Sequence, residues 1–341
     1  MDIDLAAPNL PSPALFLETA MAYRRTAALR AAMELDIFTA LGTGPLDAAA
    51  LAEQCHASPR GVRILCDSLA TMRILQKDAD RYALTMEASV FLSRLSPACI
   101  ADAFQFLSAP FIQSSFAGLA AAVRRGGTPE KSGDVLAPEH DFWMGFARAM
   151  APVMAFSAEM VAQRLNTARG ERWNVLDIAA GHGMFGITIA RHNPNATITA
   201  LDWPNVLEVA AQNARAAGLA DQYHTLPGSV FDVDFGKDYN LILVSNFLHH
   251  FDTITNEGLL RRIHRALVPG GRVAVLEFVP DEDRLAPDYS VFFAMNMLVH
   301  TQAGDAYTLS ELDRMLESAG FSSIEAQPLL PGPQTLILAT K

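Results

Sequence analysis

The chain is poor in cysteine, with three in 341 residues. Cys55, Cys66 and Cys99 show no C-x-x-C spacing and are odd in number, which excludes a disulfide framework and a zinc knuckle and fits a reducing cytoplasm. Positive charge is also short: 26 Lys and Arg against 37 Asp and Glu leave a net charge of -11. Such a surface repels a phosphate backbone, so nucleic acid is not an expected partner. The opening Met1-Asp-Ile-Asp-Leu-Ala-Ala-Pro8 has neither a basic segment nor an apolar core, and no uninterrupted apolar run long enough for a membrane follows. Neither export nor a membrane span is expected. No internal repeat appears.

What the chain does have is apolar content, half of its residues, and enough length for two domains. After a Pro-rich arm, Ala, Leu and Met recur at helical spacing from Ala14 to Leu41, until Gly42-Thr-Gly44-Pro45 ends the pattern. Ser58 and Pro59 read as the N-cap and first position of a helix to Met72. Ile74 to Leu84 reads as a hairpin turning at Asp78 to Asp80. Helix, helix, hairpin is a winged-helix order, here assigned to residues 1–100. Residues 101–165 read as a helical connector rich in Phe, Met and Ala, broken at Gly126-Gly127. Residues 166–341 alternate strand and helix: Trp173 to Ala179, Ala196 to Leu201, Tyr223 to Leu226, Tyr239 to Ser245 and Arg272 to Phe278 are the expected strands. Ser323 to Leu329 and Thr335 to Thr340 flank a connection too short for a parallel crossover, so that pair is antiparallel. The fold class is therefore α/β, a Rossmann-like doubly wound sheet with an antiparallel last strand behind a helical winged-helix domain.

The most informative segment is Val175-Leu-Asp-Ile-Ala-Ala-Gly-His-Gly-Met-Phe-Gly186, answered by Asp202. Gly181, Gly183 and Gly186 spell the dinucleotide fingerprint, with an acid about 20 residues later for a ribose. Asp177, at the strand's end, argues against a pyrophosphate by charge. A carboxylate there suits an ammonium, which favours S-adenosylmethionine on Gly181 and Gly183 with Asp202 on the ribose.

Ala266-Leu-Val-Pro-Gly-Gly-Arg-Val-Ala-Val-Leu-Glu277 reads as a helix end, a Pro-Gly-Gly turn and a buried strand closing on an acid. With the glycine loop, Leu243-Val-Ser-Asn-Phe-Leu-His-His-Phe251 and the winged-helix front, it resembles the S-adenosylmethionine-dependent small-molecule O-methyltransferases of plant phenolic and bacterial pigment and polyketide pathways, across almost the whole chain. The resemblance implies homodimers through the N-terminal domain. It also implies a small hydroxylated acceptor, flat and largely apolar, and S-adenosylhomocysteine as product.

Methyl transfer to a hydroxyl needs a base near the donor, and histidine is neutral and ready at physiological pH. The resemblance makes His249 that base and Glu277 the carboxylate that orients it. It places Trp203, Ser229, Val230 and Ser245 beside the cofactor, and Phe146, Met150, His250, Met297, His300 and Thr301 beside the acceptor. Two departures stand out: His250 takes the place of an acid after the base, and Ala306 takes the place of a second carboxylate, with Asp305 adjacent. They keep open a C-methyltransferase or a non-methylating relative that uses the sulfonium for decarboxylation, hydroxylation or rearrangement. A DNA-binding regulator, suggested by Arg60, Arg63 and Arg73 near the second winged helix, is opposed by Asp67 and the net charge. His249-His250 has no third ligand at fixed spacing, so no metal is expected.

Overall fold

A computed structural model describes residues 11–128, 141–167 and 170–341. Its backbone divides after Ala109 into two compact units. The expected Pro-rich arm, residues 1–13, falls largely outside the described residues, as do residues 129–140 of the connector.

The first unit runs α1 (Ala14–Met21), α2 (Tyr23–Glu34), α3 (Ile37–Leu41), β1 (Leu46–Asp47), α4 (Ala48–Gln54), α5 (Pro59–Thr71), β2 (Leu75–Asp78), β3 (Arg81–Leu84), α6 (Met86–Phe91) and α7 (Ala101–Leu107). The single helix expected from Ala14 to Leu41 is instead three. Apolar spacing reports which face is buried, and it continues across a break in direction. The second break is at Asp36, in the left-handed region at φ +55°, which a short polar residue tolerates; its carboxylate accepts the Thr39 hydroxyl at 2.6 Å. Ser58 accepts from Gly61 N with Pro59 at the first helical position, and β3 lies between β1 and β2 in an antiparallel wing. Ile37, Phe38, Leu51, Val62, Leu69 and Tyr82 form the core. On α5, Asp67 pairs with Arg63 at 2.8 Å and with Lys77 at 2.6 Å.

The second unit runs α8 (Pro110–Ser115), α9 (Leu119–Arg125), α10 (Asp141–Leu165), β4 (Trp173–Ile178), α11 (Met184–His192), β5 (Ala196–Asp202), α12 (Pro204–Ala216), β6 (Tyr223–Pro227), β7 (Tyr239–Ser245), α13 (Thr253–Ala266), β8 (Leu267–Glu277), α14 (Asp288–His300), α15 (Leu309–Ser318), β9 (Ser322–Pro328) and β10 (Thr335–Thr340). The strands form one sheet in the order β6-β5-β4-β7-β8-β10-β9. β10 is antiparallel to both neighbours, while β4 to β8 pair in parallel.

Both faces of this sheet are covered, which is why its strands read as unbroken apolar runs. Val175, Leu241, Leu243, Ala274 and Leu276 pack with α10, α11 and α12 on one face. Their neighbours Leu176, Ile242, Val244, Val273 and Val275 pack with α13 and α15 on the other. Chain order reverses between β4 and β7, so the crevice beyond their carboxyl ends is where an open α/β sheet takes its ligand.

One expectation needs correction. The Pro-Gly-Gly segment is not a turn before the strand: β8 begins at Leu267 and carries it as a bulge, with the register jumping from Tyr239 opposite Leu267 to Leu241 opposite Arg272. Gly270 supplies the left-handed residue, at φ +75°, that such a bulge uses. The connector contains one stretch, Ala101–Arg125, apolar and long enough to cross a membrane by length and composition. It does not run as one straight helix, because Pro110 follows the end of α7 and starts α8.

Candidate active site

After β4 the chain reverses through Ala179 (φ +52°), Gly181 (φ +56°) and Gly183 (φ +76°) into α11. A Cβ on Gly183 would lie 2.5 Å from the Tyr223 hydroxyl, and one on Gly186 2.7 Å from Ile198 Cγ2 and 3.1 Å from Asp177 Oδ2. Gly183 therefore meets both a conformational and a steric demand. Gly186 lets α11 settle onto the sheet.

Asp177 is buried beneath this turn, and its Oδ2 accepts from Gly186 N at 3.2 Å. Burial, reinforced by the charge of Asp202 and opposed by the Gly186 hydrogen bond, pushes its pKa up to about 8. Sequence reasoning had it facing a ligand's ammonium; in the structure it braces the loop and lies outside the cavity walls. Asp202, the last residue of β5, accepts from Gly181 N and from Trp203 N, each at 2.7 Å. Burial raises its pKa to about 6 against those two bonds.

A cavity of about 300 Å³ opens at the switch point. Of the expected cofactor contacts, Gly181, Asp202, Trp203, Ser229, Val230 and Ser245 line it, while Gly183 is not among its walls and packs against Tyr223 and Ala210. Of the expected acceptor contacts, Phe146 and His250 line it. Met150, Met297, His300 and Thr301 are not among its walls. Thr301 is buried, donating to Met297 O at 2.7 Å and accepting from Gly304 N at 2.9 Å, and His300 Nδ1 lies 2.9 Å from Asn296 O. Trp143, Phe231, Phe247 and Phe251 complete an aromatic lining.

His249 and Glu277 come together as expected, from a one-turn 3-10 helix after β7 (Leu248–His250) and the last residue of β8. They are 4% and 3% exposed. Glu277 Oε2 lies 2.6 Å from His249 Nδ1, and Oε1 accepts from the backbone N–H groups of Phe247 (3.0 Å), Leu248 (2.8 Å) and His249 (3.4 Å). One carboxylate thus fixes both the imidazole and the loop that carries it. A carboxylate can only accept, so the Nδ1 position holds the proton and Nε2 carries the lone pair. Nε2 makes no hydrogen bond within the described residues.

The loop is clamped from other elements too. Asn256 of α13 donates to Leu248 O at 2.9 Å and Phe251 O at 3.2 Å, and the Tyr307 hydroxyl donates to Phe251 O. A Cβ on Gly304 would come within 2.2 Å of His249 O, so the 301–307 segment lies directly on the histidine pair. Ala306 is buried, and Asp305 turns to Arg284 at 3.6 Å and to Ala306 N at 2.8 Å. His250 packs ring to ring with His249, centroids 4.3 Å apart. Burial, with the charges of His249 and His300, holds its pKa well below the ordinary histidine value.

Some supporting residues had no sequence signal. Arg262 of α13 donates to Val230 O (2.6 Å), Phe231 O (3.0 Å) and Val233 O (2.9 Å), pinning the segment that carries Ser229 and Val230. Asn246, in the left-handed region at φ +54°, accepts from Gln334 Nε2 at 2.6 Å, and Gln334 Oε1 accepts from Ser157 at 2.8 Å. That chain ties β7, α10 and the β9–β10 hairpin together. Phe247 and Phe251 were within the recognised segment but unassigned.

Comparison with known proteins accords with this geometry. A family model of the O-methyltransferase domain matches residues 135–322 and one of the O-methyltransferase dimerisation domain matches 17–94. The tetracenomycin polyketide synthesis 8-O-methyl transferase TcmO of Streptomyces glaucescens is 29% identical over 98% of both chains. A crystal structure of an inferred O-methyltransferase from Nostoc punctiforme superposes with TM-score 0.93 at 47% identity, covering 97% of this chain and 100% of that one. Human N-acetylserotonin methyltransferase, solved with S-adenosylmethionine, gives TM-score 0.82 at 25% identity, covering 98% and 99%. With the enzyme-domain model spanning more than half of its length, the chain belongs to the S-adenosylmethionine-dependent O-methyltransferase family.

Proposed function

We propose that the protein transfers a methyl group from S-adenosylmethionine to a hydroxyl of a flat, largely apolar aromatic or polyketide-like molecule, with His249 as general base. The observation that carries this is the buried His249–Glu277 pair: neither residue is among the walls of the aromatic cavity, but His249 directly precedes His250, which lines it. The residues fit the cofactor. Gly181 brings backbone to the cavity without a Cβ, Asp202 offers carboxylate lone pairs for ribose hydroxyls, and Trp203 and Val230 give apolar walls for a base. Bound there, S-adenosylmethionine supplies an electrophilic methyl on a cationic sulfur and leaves as S-adenosylhomocysteine.

Glu277 holds His249 in the tautomer whose Nε2 can take the hydroxyl proton, and its charge stabilises the imidazolium that results. Trp143, Phe146, Phe247 and Phe251 keep the reacting groups dry, which favours two opposite charges that cancel as they react. The names of relatives support the acceptor class: besides TcmO, a Streptomyces sahachiroi relative at 27% identity over 98% of this chain and 97% of its own is a 3-hydroxy-5-methyl-1-naphthoate 3-O-methyltransferase. The front unit would join two copies, as its dimerisation-domain match implies.

The test is transfer of labelled methyl to a panel of phenols and hydroxylated polyketides. His249→Ala is expected to lose about 10²–10⁴-fold in kcat. Undiminished transfer by that variant, or none by the wild type across the panel, overturns the reading.

A further inference from the structure

Among the polar side chains bordering the cavity, His250 alone has a ring nitrogen that is sealed and unpartnered. Nδ1 is buried without a hydrogen-bond partner, and Nε2 bonds to no described residue yet is not sealed. Its neighbours are rings: Trp143 at 5.7 Å, Phe251 at 6.2 Å and Phe247 at 6.3 Å between centroids, with His249 on the other side. A neutral imidazole has one donor and one acceptor nitrogen. Orphaned buried N–H groups are rarer than under-satisfied acceptors, so the sealed Nδ1 is assigned the lone pair and Nε2 the proton. The ring then offers a hydrogen-bond donor to the cavity at a position next to the base.

We propose that His250 is a specificity-determining residue that donates from Nε2 to an oxygen beside the reacting hydroxyl, selecting aromatic hydroxy-carbonyl acceptors over diols and simple phenols. The inference rests on the methyl-transfer reading above. A hydroxyl next to a carbonyl is tied down by an internal hydrogen bond and gives up its proton reluctantly. Drawing the carbonyl oxygen onto Nε2–H releases that hydroxyl towards His249. A conjugated carbonyl also spreads the negative charge left on the oxygen, which lowers the demand on a base that Ala306 leaves with a single carboxylate. An acid in place of His250 would only accept, and would prefer a second hydroxyl.

The test uses three acceptors of one size: an ortho-hydroxyacetonaphthone, the parent naphthol and the matching naphthalenediol. Their affinities are read by calorimetry on protein loaded with S-adenosylhomocysteine, and kcat/KM is read with S-adenosylmethionine. The wild type is expected to favour the hydroxyketone over both others about tenfold, the worth of one good hydrogen bond in a dry site. His250→Phe should erase that ratio, His250→Asp should invert it towards the diol, and His250→Asn, which keeps a donor, should retain part of it. Equal affinities in the wild type, or a ratio that survives His250→Phe, overturns the proposal. The wild-type ratio decides alone if the variants do not fold. Failure to methylate any acceptor would overturn the methyl-transfer reading while leaving the affinity ratio to judge His250.

Discussion

Glu277 does two jobs with two oxygens, and they can be separated by a single atom. In Glu277→Gln, an amide oxygen can still accept from Phe247 N and Leu248 N, as Oε1 does now. The amide nitrogen facing His249 Nδ1 can only donate, which forces the proton onto Nε2 and removes the lone pair that the reaction needs. The expected outcome is a loss of about 10²–10⁴-fold in kcat with little change in KM or melting temperature, read by steady-state kinetics and calorimetry. Asp177 gives a second prediction at this scale. Its pKa rises from 3.8 to about 8 because it is buried, so between those values the folded chain binds a proton that the unfolded chain has lost. Its contribution to stability is full below about pH 4 and falls away as pH rises through about 8. Melting temperatures of the cofactor-free protein should therefore show a pH slope over that window that Asp177→Asn flattens; an unchanged slope would place the carboxyl in a more polar setting than beneath the loop.

At the scale of elements, the site is held by contacts between pieces of chain far apart in sequence, and this divides what could be read in advance from what could not. The glycine loop and the two-sided strands were legible because each is written in a short stretch, as glycine spacing or an apolar run, whereas the His249–Glu277 pairing, 28 residues apart, was legible only through the family resemblance. Arg262, Gln334 and Gly304 were not legible, because their meaning lies in partners such as Val230 O, Asn246 Oδ1 and His249 O. The same cause misread the front of the chain, where a continuous apolar face hid the turn at Asp36, and the Pro-Gly-Gly segment, whose bulge only the register with β7 reveals. Arg262 offers the cleanest test. Its guanidinium satisfies three carbonyls of the Val230–Val233 segment and lies 4.9 Å over the Phe235 ring. Arg262→Ala should loosen that wall, raising the Kd for S-adenosylhomocysteine several-fold, with a smaller effect on kcat at saturation. Unchanged affinity by calorimetry would show that the segment holds its shape without the clamp.

For the whole molecule, the question is what covers α1. The helix carries Leu15, Phe16, Leu17 and Met21, and with Tyr23 beyond it these side chains are exposed, Phe16 at 73% and Leu15 at 68%. No residue of α1 is buried. Single exposed apolar residues are ordinary, but a cluster on one short helix is the mark of a surface that another chain occupies. The match of residues 17–94 to a dimerisation domain supports a second copy as the occupant, and closed two-fold pairing is the commonest arrangement for such a face. The wild type is therefore expected to run as a dimer in light scattering at micromolar concentration. Phe16→Asp combined with Leu15→Asp, which would place two charges on that face without touching the core of the first unit, should shift it to monomer. If the acceptor site is complete within one chain, the monomer should keep its affinity for S-adenosylhomocysteine, because the cavity lies wholly within the second unit. A monomeric wild type, or a double variant that stays dimeric, would put the interface elsewhere.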